Sequence, residues 1–133
     1  MINRFLFIYG TLLEPENEFA VYLQSNSVVY SKGKFRGSLY DIGEYPGAVD
    51  DPDSSYEIHG TIVSMHDPED VLKHIDPYEG FGEGQRRPYL FIRKLINAET
   101  PKGIVECWVY IYHREITGFN QITTGDFLSY RKQ

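Results

Sequence analysis

Between residues 103 and 113 the chain alternates Val105, Cys107, Val109 and Ile111 against Glu106, Trp108, Tyr110 and Tyr112. That period of two is the mark of an extended strand. Bulky side chains stand on both of its faces, so the strand must be covered on both sides. A second strand at about 89–98 leads into it through the turn Thr100-Pro101-Lys102-Gly103. Aromatic residues suit such a pleated surface, and the chain holds 11 Tyr and 8 Phe against a single Trp.

The remaining segments supply the partners. Residues 4–9 are a short apolar run ending in Gly10, as expected of a buried strand. Residues 28–42 read as extended, with Gly33 and Gly37 marking a turn or bulge, and residues 56–65 as another strand. Two helices are predicted. One covers 15–24, with Pro15 near its first turn and Phe19, Tyr22 and Leu23 at helical spacing. The other covers 67–76, with Asp67 as N-cap, Pro68 at the first helical position, and Val71, Leu72 and Ile75 toward the core. It is expected to stop at Asp76-Pro77, because a residue before proline avoids the α region. Tyr45-Pro46-Gly47 reads as a turn, residues 50–55 as a polar loop, 80–88 as a mobile glycine-rich loop, and 125–130 as a last helical turn. Strands outnumber helices and are not separated by them as in a βαβ repeat. The expectation is α+β: one domain over 1–133, a small mixed sheet or β-barrel with two flanking helices.

Composition and spacing exclude several functions. The net charge is −6 with no basic cluster, which argues against nucleic acid as a partner. The apolar N-terminal run is too short to span a bilayer, and no membrane association is expected. A single cysteine, Cys107, cannot form an internal disulfide, in keeping with a cytoplasmic location. Its place in an apolar strand makes it an inert buried thiol. The histidines at 59, 66, 74 and 113 have no metal-ligand spacing, and the acids at 50, 51 and 53 lack the glycine and distal glutamate of a calcium loop. No metal and no cofactor are expected. Gly80-Phe81-Gly82-Glu83-Gly84 follows a helix and precedes a strand, the reverse of a phosphate-binding context.

Two segments carry chemistry. Tyr9-Gly10-Thr11-Leu12 is a strand running into a glycine turn before a helix. It is either a plain strand end or a set of exposed N–H groups able to hold an anion. Asp76-Pro77-Tyr78-Glu79-Gly80 puts a carboxylate where a helix meets the glycine-rich loop. Glu79 is either a solvated surface residue or, if the loop excludes water and raises its pKa, a proton shuttle near neutrality.

Five segments in order resemble the γ-glutamyl cyclotransferase-like superfamily. They are Phe7-Ile8-Tyr9-Gly10-Thr11-Leu12, the run from Gly37 to Gly47, Ile75-Asp76-Pro77-Tyr78-Glu79-Gly80, Cys107-Trp108-Val109-Tyr110-Ile111-Tyr112, and Ile122-Thr123-Thr124-Gly125-Asp126-Phe127. The resemblance covers nearly the whole chain. It implies a small barrel with a pocket at one end, where residues 9–12 give main-chain contacts to a γ-glutamyl group and Glu79 is the catalytic acid and base. Tyr9, Gly10, Thr11, Leu12, Tyr89 and Tyr110 are the substrate-binding residues it implies. The reaction it implies is cyclisation of a γ-glutamyl amine or peptide to 5-oxoproline, without metal or cofactor. A non-catalytic binding module of the same fold is the alternative. One departure stands out. The family commonly has Tyr-x-Arg at the strand after the glutamate loop. Here either Tyr89 matches and the arginine is displaced, or Arg93 matches and Phe91 replaces the tyrosine.

Overall fold

The computed structural model describes residues 2–131. Five strands close on themselves. They are β1 (Phe5–Ile8), β2 (Ser27–Asp41), β4 (Glu57–Met65), β5 (Phe91–Thr100) and β6 (Gly103–Tyr112). Their order is β2-β4-β1-β6-β5, and β5 returns to β2 at Lys34 opposite Glu99. Every pairing is antiparallel except β1 with β6, which is parallel and in register at Leu6 and Trp108. Two further strands, β3 (Pro46–Asp50) and β7 (Asn120–Gln121), both pair with the C-terminal end of β2. Three helices complete the fold: α1 (Glu18–Ser25), α2 (Pro68–Tyr78) and α3 (Phe127–Arg131). Of the mixed sheet or barrel that the strand pattern allows, this is the α+β barrel that the family resemblance implies.

The alternation in β6 now has its cause. Cys107, Val109 and Ile111 point into the barrel with Phe7, Phe35, Ile58 and Ile62. Tyr110 and Tyr112 point outward into a second core, where Leu6, Ile8, Leu23, Val71, Leu72 and Ile75 pack the helices onto the sheet. Side chains of a strand alternate between its faces, so a strand between two cores must be bulky on both.

Several local expectations need correction. Helix α1 starts at Glu18, not at 15, because Asn17 caps it: its Oδ1 accepts from the N–H groups of Phe19 (2.8 Å) and Ala20 (3.0 Å). Pro15 belongs to the approach. Asp67 caps α2 as read, accepting from Asp70 N–H at 3.3 Å. The helix nevertheless runs through Pro77 to Tyr78. A proline in the last turn forfeits one hydrogen bond, and the helix stops only where Gly80 takes φ +70°. Tyr45-Pro46-Gly47 is not merely a turn, since Pro46 opens β3. Proline is tolerated as the first residue of a strand, which hid the strand in the sequence. Gly33 and Gly37 do not break β2; its register shifts instead between Val29 and Ser31. A Cβ on Gly37 would lie 2.3 Å from the Val49 carbonyl, so this glycine lets β3 approach. Strand β5 begins at Phe91, which leaves Tyr89 in the preceding loop.

Candidate active site

At the end of β1 the chain turns sharply at Gly10 into a single 3-10 turn, Thr11–Leu13. Only glycine fits there: a Cβ would stand 2.8 Å from Pro46 Cγ and 2.9 Å from Cδ. Within the turn Leu13 N–H donates to the Gly10 carbonyl at 2.9 Å, and Glu14 N–H to that of Thr11 at 3.0 Å. The N–H groups of Gly10, Thr11 and Leu12 have no acceptor among the described residues. The start of any helical turn leaves such donors free. The Thr11 hydroxyl is held in turn by the Tyr78 hydroxyl (2.7 Å), which also accepts from Asn17 Nδ2 (2.8 Å). One hydroxyl on α2 thus fixes the turn to the cap of α1.

This turn borders a cavity of about 500 Å³. Phe7, Tyr9, Leu12, Phe91 and Tyr110 form apolar and aromatic walls, and Glu79 lines it from the C-terminal end of α2. Its mouth carries Glu14, Glu16 and Glu44, with Arg131 of α3 donating to Glu14 Oε1 at 2.6 Å. Of the residues expected to contact substrate, Tyr9, Gly10, Thr11, Leu12 and Tyr110 line this cavity together with Glu79. Tyr89 does not; its ring packs against Phe81 and under Arg87. In the strand that follows, Phe91 lines the cavity and Arg93 reaches the α2 end.

The two carboxylates at the end of α2 have opposite surroundings. Asp76 is saturated: Arg93 donates through Nε at 2.9 Å and through a terminal nitrogen at 3.2 Å, and the Tyr110 hydroxyl donates at 2.6 Å. Glu79 is half-buried against the cavity, and its carboxylate takes part in no hydrogen bond among the described residues. Burial, and then the negative charge of Asp76, push its pKa up to about 8. Near neutrality Glu79 therefore holds a proton that it can give and retake. The Tyr9 hydroxyl is not free for a ligand. It donates to the Tyr110 carbonyl at 2.5 Å and accepts from Ala48 N–H at 3.3 Å. Burial, with Glu79 nearby, raises its pKa well above the ordinary value, so it stays neutral. Cys107 is enclosed in the barrel, and burial pushes its thiol up to about 12, which leaves it unreactive.

Sequence reasoning did not single out Asp76, Tyr78 or Asn17. Asp76 and Tyr78 lay inside the quoted motif, but their partners stand on other elements and no local spacing points to them.

The barrel thus opens at one end into a cavity bordered by the glycine turn at Gly10 and by the carboxylate of Glu79. The profile of the family described as gamma-glutamyl cyclotransferase, AIG2-like, matches residues 6–129, and the chain belongs to that family. It is 32% identical over 130 residues to the gamma-L-glutamyl-butirosin B gamma-glutamyl cyclotransferase of Niallia circulans, covering 96% of this chain and 78% of the relative. The solution structure of protein ytfP from Escherichia coli matches with a TM-score of 0.67 at 27% identity, covering 97% of this chain and 99% of that one. YkqA from Bacillus subtilis shares the fold at a TM-score of 0.73 and 24% identity, with 98% of this chain spanning 41% of that one. Among the described residues no helix is long and apolar enough to cross a membrane.

Proposed function

We propose that the protein cyclises a γ-glutamyl amine or peptide to 5-oxoproline and releases the amine, with Glu79 as the acid and base. The observation that carries this is the state of Glu79: an unpaired carboxylate, with a pKa near 8, in a cavity shared with the Gly10–Leu12 turn. The name of the Niallia relative gives a γ-glutamyl compound as its substrate.

The free α-amine of the substrate attacks its own γ-carbonyl carbon. A new C–N bond closes a five-membered ring, and the nitrogen passes a proton to ionised Glu79. The bond from the γ-carbon to the leaving nitrogen then breaks as Glu79 returns that proton to it. One residue serves both transfers because its pKa lies close to the working pH. Nucleophile and electrophile share a molecule, so the protein has chiefly to select the folded conformer. The free N–H groups of residues 10–12 are suited to the substrate carboxylate or to the developing oxyanion. The proton circulates between substrate and Glu79, and no metal is required.

The test is a panel of γ-glutamyl peptides, γ-glutamyl amines and γ-glutamyl isopeptides assayed for 5-oxoproline in excess chelator. Release from at least one substrate is expected. Release that disappears on chelation and returns with zinc or magnesium contradicts the metal-free mechanism; no release from any substrate contradicts the activity.

A further inference from the structure

Asp76 is tied to its surroundings more heavily than a helix-end carboxylate requires. Its side chain is gripped from two strands, by the Arg93 guanidinium of β5 and the Tyr110 hydroxyl of β6. Its main-chain carbonyl accepts from Glu79 N–H at 3.1 Å and from Phe81 N–H at 3.0 Å. The chain leaving Asp76 therefore turns back on it within five residues, and Glu79 sits inside that turn. The circuit closes on its far side as well. The Arg93 guanidinium lies 5.7 Å from the centre of the Phe81 ring on one hand and 4.3 Å from that of Trp108 on the other. Stacking of this kind orients a guanidinium as well as holding it. Arg93 and Asp76 are both mostly shielded from water, with side-chain exposures of 16% and 18%.

A bidentate pair held by two aromatic rings is more than a helix terminus needs, because Gly80 already ends the helix. What the pair does fix is the direction of the next three residues. We propose, resting on the cyclotransferase reading, that Asp76 is a positioning residue: clamped by Arg93 and Tyr110, it fixes the turn that presents Glu79 to the cavity and places a negative charge behind it. The charge matters because it is of the same sign as ionised Glu79 and resists its ionisation. The raised pKa of Glu79 has this as its second cause after burial.

Other groups face Glu79 and are left in place by the test. The phenols of Tyr9 (after β1), Tyr45 (before β3), Tyr78 (α2) and Tyr110 (β6) share the cavity. Glu14, Glu16 and Glu44 lie at the mouth, with Arg131 of α3 bonded to Glu14. Asp76→Asn leaves these groups in place; it also uncovers the charge of Arg93, which acts on Glu79 in the same direction as loss of the Asp76 charge.

Asp76→Asn keeps the shape and one acceptor oxygen but removes the charge. The ionisation of Glu79 is followed by carbon-13 NMR of labelled glutamate, its signal assigned with Glu79→Gln, so no substrate is needed. The midpoint is expected to move to lower pH by about 0.5–1, as removal of a nearby like charge dictates. The acid limb of turnover should move with it. An unmoved midpoint in the folded variant overturns the electrostatic role. Arg93→Lys separates the other half: it keeps both charges but loses the fork, so the midpoint should stay while turnover falls about 10–100-fold, the scale of a small misplacement. Wild-type turnover in Arg93→Lys overturns the positioning role, whether or not Asp76→Asn folds. A moved midpoint in a protein that releases no 5-oxoproline supports the role of Asp76 in setting Glu79 and counts against the reaction instead.

Discussion

The hydroxyl of Tyr9 donates to the main-chain carbonyl of Tyr110, 2.5 Å away, across the one parallel pairing of the barrel. The same oxygen accepts from Ala48 N–H, so one phenol joins β1, β3 and β6 beside the cavity. Tyr9→Phe would take this buried partner from both main-chain groups. A loss of about 1–3 kcal/mol is expected, measured by denaturant unfolding, with turnover in the surviving folded protein within a few-fold of wild type. A stability change below about 0.5 kcal/mol would show that the hydroxyl is not structural.

Gly10 allows the turn to pass under Pro46. Gly10→Ala forces a methyl to within 2.8 Å of that ring. Pro46 or the turn must move, and the free N–H groups of residues 10–12 move with it. The folded variant should bind 5-oxoproline about 10-fold or more weakly, since each misaligned hydrogen bond to a charged group is worth about 1.5–3 kcal/mol. Calorimetric titration checks it. Unaltered product binding would remove this turn from the site.

Glu79 should also leave a mark on stability against pH. Its pKa is about 8 in the folded protein against an ordinary 4.5. The group is raised on folding, so its contribution is fully present below about pH 4.5 and is lost progressively as the pH rises to about 8. In that window the unfolded chain releases the proton and the folded chain keeps it. Glu79→Gln cannot ionise. Relative to wild type, its unfolding temperature should therefore climb between pH 4.5 and 8 and level off above. A constant difference across that range would mean that Glu79 titrates normally.

Much of this architecture could be read from residue order. The period of two in 103–112, the aromatic faces of that strand, the cap at Asp67 and the glycine turn at Gly10 are local signals, and local signals survive into the fold. What stayed hidden depends on contacts between distant segments. Strand β3 opens on a proline and gains its identity from pairing with β2. Helix α2 continues through Pro77 because a proline near its end costs a single bond there. Arg93 is separated from Asp76 by a loop, so nothing local announces the pair. Tyr89 and Phe91 both stand close enough to a motif position for sequence to leave the choice open; the start of β5 at Phe91 places that residue, not Tyr89, against the cavity.

The central claim is that Glu79 carries the proton in the proposed cyclisation, and Glu79→Gln addresses it most directly. The variant keeps size and shape and loses only the basic site. Unfolding temperature, 5-oxoproline binding and 5-oxoproline release are to be measured side by side on a substrate turned over by the wild type. The account predicts a folded variant that binds product and whose turnover is lower by about 10²–10⁴, the usual worth of a general acid–base. Turnover equal to wild type in that variant would contradict it.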